Sequence, residues 1–126
     1  MNARRWIAVA AAFGFLGVAL GAFGAHALRS KLSPEMAGVY RVGVEYHLFH
    51  ALALLCTGLY ATLRPGRMLD LAAGCFALGV PLFSGSLYAL AVTGNRMLGI
   101  ITPFGGLLFL AGWILLGVAA WRSAPP

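Results

Sequence analysis

The chain has 126 residues, 61% of them hydrophobic and only 10% charged, and its mean hydropathy is +0.89. Soluble domains carry about 25% charged residues, and disordered chains are far less apolar than this one. Both classes are excluded, which leaves one small domain, residues 1–126, buried in lipid. Nine Lys and Arg against three Asp and Glu give a net charge of +6. In a soluble chain that excess would point to nucleic acid. Here the cations Arg4, Arg5, Arg29, Lys31, Arg64, Arg67, Arg96 and Arg122 stand at the ends of apolar runs. Cations so placed reach headgroups along their own methylene stems, so the expected partner is the bilayer and not nucleic acid.

A helix crosses the hydrocarbon core with about 20 apolar residues. Four segments reach that length: Trp6–Leu28, Val42–Leu63, Leu69–Val92 and Ile101–Trp121. Backbone groups in lipid must be satisfied within their own segment, and none of the runs alternates as a barrel strand would. An all-α, four-span bundle is therefore expected. Arg4-Arg5, the apolar run and Ala25-His26-Ala27 imitate a signal peptide, but the run is too long and too rich in glycine, and it reads as an uncleaved span. Ser33-Pro34-Glu35 is a helix start, with a capping hydroxyl, a first-turn proline and an acid suited to the helix dipole. Arg64-Pro65-Gly66 closes the second helix, and Asp70 suits an N-cap or a partner for Arg67. Pro81 lies inside the third span, where it frees the carbonyl of Ala77 and predicts a kink that Ser84 and Ser86 could help to satisfy. Thr102-Pro103 reads as a second N-cap with its proline, and Ala124-Pro125-Pro126 as a short unstructured end.

With both termini cytoplasmic, Arg4, Arg5, Arg64, Arg67 and Arg122 lie inside and Arg29, Lys31, Arg41 and Arg96 outside. That narrow majority favours this orientation, and it places Trp6 and Trp121 at the same interface. Gly14, Gly17, Gly21 and Gly24 form a stripe on the first helix, and Gly105 and Gly106 open the fourth. Small residues in such places let helices approach closely in lipid. Cys56 and Cys75 have no ligand cluster beside them and read as packing residues.

The polar side chains gather toward the outer half. His26 ends the first helix, and Tyr46 and His50 share one face of the second. Arg41 and Glu45 are spaced to pair, and Glu45 projects away from His47. Ionisable groups within a span are functional candidates, although hydrogen bonding of His26 and His50 to each other or to neighbouring helices is the plainer role.

Four runs carry a resemblance: Gly21-Ala22-Phe23-Gly24-Ala25-His26, Tyr46-His47-Leu48-Phe49-His50-Ala51-Leu52-Ala53, Phe83-Ser84-Gly85-Ser86-Leu87-Tyr88 and Ile101-Thr102-Pro103-Phe104-Gly105-Gly106. Together they resemble a family of small bacterial inner-membrane proteins of unknown function, with relatives among small animal transmembrane proteins. The resemblance implies a four-span domain in the inner membrane and supplies no activity. It also selects His26, Tyr46, His50, Ser84, Ser86, Tyr88 and Thr102 as the lining of one expected polar site. With no Walker loop, HExxH, CxxCH or nucleophile elbow, the leading expectation is a non-enzymatic accessory or assembly subunit that self-associates or joins a larger membrane complex. The alternatives are a binder of haem, a metal or a quinone through the histidines, with any metal unidentified, and an oligomeric channel or transporter.

Overall fold

The computed structural model describes residues 1–123, so the expectation for Ala124-Pro125-Pro126 lies outside the described residues. Five α-helices make four apolar rods. They are α1 (Ala3–His26), α2 (Pro34–Leu63), α3 (Arg67–Val80), α4 (Ser86–Thr93) and α5 (Thr102–Arg122). A π turn, Pro81–Gly85, joins α3 to α4 in one rod, and a 3-10 turn, Arg96–Ile100, precedes α5. The rods span 24, 30, 27 and 27 residues. At 1.5 Å per residue each exceeds the hydrocarbon core of about 30 Å. α2 outruns its expected span because its polar first turns, from Pro34, precede the apolar run, whereas α1 stops at His26, short of the expected Leu28.

Local signals account for the ends. Asn2 Oδ1 accepts from Arg5 N at 3.1 Å, and Ser33 Oγ accepts from Met36 N at 3.2 Å, with Pro34 behind it. Gly94, at φ 71°, terminates α4 in the left-handed conformation that glycine adopts without strain. Thr102 departs from expectation. Its hydroxyl makes no cap and instead meets Ser86 Oγ at 2.6 Å, tying the start of α5 to α4. At Pro81, where a kink was expected, the helix passes into a π turn, and proline and π turns are both sites at which helices bend.

α2 is the central rod. Its buried face runs through Tyr40, Gly43, His47, His50, Leu54, Thr57 and Ala61, alternating steps of three and four as a bundle seam does. α1 lies on one side of it, and the α3–α4 rod with α5 on the other. The glycine stripe of α1 seats α2: Gly17 meets Leu48 and His47, Gly21 meets Val44, and Gly24 meets the Tyr40 ring. Gly14 is the exception and faces open space. On the other side Gly79 packs on Phe109, Gly112 on Phe76 and Gly105 on the backbone of Phe83, while Gly106 only grazes that ring. Most of the expected glycine contacts are thus spent within one protomer. At the end holding the termini, Trp6 Nε1 donates to Asp70 Oδ1 at 2.8 Å. Asp70 therefore links α1 to α3, and neither caps α3 nor pairs with Arg67. Cys56 and Cys75 are free thiols.

Candidate functional site

The seam of α2 carries two histidines into the interior, and each meets a different wall. His50 is buried against α5, with its ring stacked on Phe109 at a centroid distance of 3.6 Å and an interplanar angle of 9°. Its Nδ1 lies 2.8 Å from the carbonyl of Tyr46, and its Nε2 accepts from Trp113 Nε1 at 3.1 Å. A carbonyl only accepts and an indole N–H only donates, so the proton sits on Nδ1 and the ring is neutral. Both nitrogens are then in use.

His47 faces α1 and α4. Its Nδ1 is 2.8 Å from the Tyr88 hydroxyl, and Phe13 meets its ring edge-on at 5.9 Å. Its Nε2 is buried and without a hydrogen-bond partner among the described residues. Ser84 Oγ, in the π turn, is likewise buried and without a partner among the described residues. Ser86 Oγ donates to the Phe83 carbonyl at 2.8 Å and meets Thr102 at 2.6 Å. Thr57 returns its hydroxyl to Ala53 at 2.7 Å.

The seven expected site residues thus separate. Tyr46 stacks on His50 and lies 4.7 Å from Phe83 between ring centroids, but it is exposed to lipid and its hydroxyl has no partner among the described residues. Ser86 and Thr102 form one pair, while Tyr88 bonds His47. His26 stands exposed at the far tip of α1 and makes no hydrogen bond to His50. His47 is level with Phe13 and Gly17, in the middle turns of α1, and His50 with Trp113, in the middle of α5. Arg41 and Glu45 do not pair, because the one ion pair among the described residues is Arg96–Glu35, an exposed contact at 3.3 Å.

His47 and Trp113 are the participants that the sequence reading left out of the site. His47 was legible from the three-and-four spacing of the α2 seam, on which Tyr46 does not fall. Trp113 carried no local signal, since nothing in α5 says which helix its indole faces. Trp113→Phe removes the donor while keeping a ring, and is expected to cost about 1 kcal/mol. Midpoints of unfolding in detergent for this variant, His50→Phe and the double variant would measure the coupling. Additive losses would mean that the pair is not a tie.

No group of three or more His, Cys, Asp or Glu converges among the described residues. Toward the termini the interior closes on Ala61, Leu69 and Ala119.

The helices and their internal polar ties define a four-span helical membrane protein. The family model described as "Protein of unknown function (DUF423)" matches residues 20–106. The chain belongs to this family of uncharacterised membrane proteins. It is 43% identical to the UPF0382 inner membrane protein YgdD of Escherichia coli over 122 residues, 97% of this chain and 93% of that one. It is 41% identical to a UPF0382 membrane protein of Haemophilus influenzae, covering 94% and 95% of the two chains. It is 45% identical to the UPF0382 membrane protein YwdK of Bacillus subtilis, covering 83% and 86%. No solved structure matches the chain.

Proposed function

We propose that the chain is a non-enzymatic assembly or structural subunit of the bacterial inner membrane, with both termini cytoplasmic. The observation that carries this reading is His50. The most deeply engaged ionisable side chain has both nitrogens committed to its own fold, and so serves as a tie between α2 and α5. A buried polar group used this way within a span holds helices together.

The surface supports the same reading. A wholly apolar groove of about 400 Å³ runs between α1 and α2, floored by Ala10, Ala11, Gly14 and Ala51 and edged by Leu52 and Leu55. Small residues leave room there for the backbone of another helix, either a second copy or a different subunit. Gly14→Leu fills that space without an internal clash, because nothing lies within 4 Å of a Cβ at Gly14. Native mass spectrometry of protein gently extracted from its own membrane is expected to show a retained protein partner or second copy that Gly14→Leu removes.

A small-ligand reading rests on His47 Nε2 and Ser84 Oγ, the two buried polar side-chain atoms without a partner among the described residues. A small molecule retained by an otherwise lone chain, and lost with His47→Phe, would replace the assembly reading with this one.

A further inference from the structure

The end of the bundle opposite the termini carries Arg29, Lys31, Arg41 and Arg96. Among the described residues only Arg96 of these is neutralised, by Glu35. Arg29 and Arg41 instead border a groove of about 390 Å³ where α1 and α2 part. Neither acid of this end, Glu35 or Glu45, lines it. The groove has two chemically distinct ends. Arg29, past the end of α1, and Arg41 give it charge at the loop end, and Gly21 against Val44, with Ala25, gives it an apolar floor further in. Tyr40 keeps the floor rigid, since its ring fills the space beside Gly24 and its hydroxyl donates to the Leu20 carbonyl.

Depth matches this division. Gly24 against Tyr40 and Ile7 beside Gly58 set α1 antiparallel to α2, so Arg41 is level with the last turn of α1, which ends at His26. Arg41 therefore stands at the edge of the core, where an unpaired cation draws in an anion or water. Arg29, three residues beyond the end of α1, lines the same groove. Charge at the rim with an apolar floor running into the bilayer is complementary to an amphiphile that has a negative head and a hydrocarbon tail. Two guanidinium groups suit the oxygens of a phosphate.

We propose that this groove is a binding site for an anionic phospholipid, with its phosphate between Arg29 and Arg41 and one acyl chain laid along Gly21, Ala25 and Val44. The lipid belongs to the leaflet at the loop end of the bundle. Its binding is independent of whether the chain joins a larger assembly.

The test uses the full chain reconstituted in vesicles of equal parts phosphatidylglycerol and phosphatidylcholine, released into the gas phase for native mass spectrometry. The wild type is expected to retain phosphatidylglycerol in preference to phosphatidylcholine. Arg29→Gln with Arg41→Gln is expected to reduce that preference roughly tenfold or more, with helicity unchanged because both side chains are exposed and unpaired. Arg4→Gln with Arg5→Gln removes the same charge from the other end and is expected to leave the preference intact. Ala25→Leu keeps every charge, fills the floor and is expected to release the lipid. Equal losses from the two arginine pairs would reduce the effect to net charge and overturn the site. Retention by Ala25→Leu, or displacement by excess inorganic phosphate, would overturn the lipid in favour of a phosphate-only contact.

Discussion

Gly105→Ala is expected to destabilise the bundle by about 3 kcal/mol, an unusually large effect for one added methyl group. The new Cβ would stand 2.7 Å from both Cα and Cβ of Phe83, and closer still to the Phe83 backbone nitrogen. A flexible side-chain tip can swing aside, but a backbone inside a π turn cannot move without displacing α4 as well. The same shift would disturb the Ser86–Thr102 pair, which lies across this contact. Gly117→Ala is the matched control, because nothing lies within 4 Å of its added carbon. Its gain in helix propensity is at most about 1 kcal/mol. Unfolding midpoints in detergent separate the two cases, and a Gly105→Ala midpoint equal to that of the control would refute the close approach.

Phe76→Ala should cost about 2–3 kcal/mol, chiefly by opening a void. Phe76 is fully buried, sits against Gly112 and packs edge-on against Trp113 at 5.2 Å between ring centroids. In a soluble core the loss would also include transfer of the ring from water, for a total of about 3–5 kcal/mol. Within a bilayer the separated helices already lie in apolar surroundings, so that part largely cancels. What remains is dispersion energy, about 24 cal/mol per Å³ of cavity over roughly 100 Å³. Because Gly112 offers no side chain to refill the space, a second substitution, Gly112→Leu, is expected to recover part of the loss. Failure of any such rescue would show that the void closes by helix movement.

The spans, the cap at Ser33 and the close packing at Gly17, Gly21 and Gly24 were legible in the sequence because each depends on residues near one another along a helix. Partners across helices were not. Thr102 beside Pro103 has the composition of a cap, yet its hydroxyl is claimed by Ser86 from the preceding rod. Asp70 is placed to serve its own helix, but Trp6 reaches it from α1. Register between helices was not legible either: α2 has 30 residues, and a histidine early in its apolar run stands opposite the middle of α1. Of the expected site, the Ser86–Thr102 pair and the Tyr46–His50 stack are real neighbours, whereas His26 belongs to the far tip and His47 replaces it inside.

The position of α1 bears on how the chain assembles as it leaves the ribosome. Nearly all of its packing is with α2, from Gly24 on Tyr40 to Ile7 beside Gly58. These partners follow α1 directly in the chain, so the first hairpin can zip shut in the membrane before the third span has been synthesised, in keeping with N-terminal units folding first. The second pair, α3–α4 with α5, can form in the same way once its own turn is out. Joining the halves then needs only the free face of α2, and the bond from Trp6 to Asp70 acts as the latch that fastens the earliest helix to the later pair.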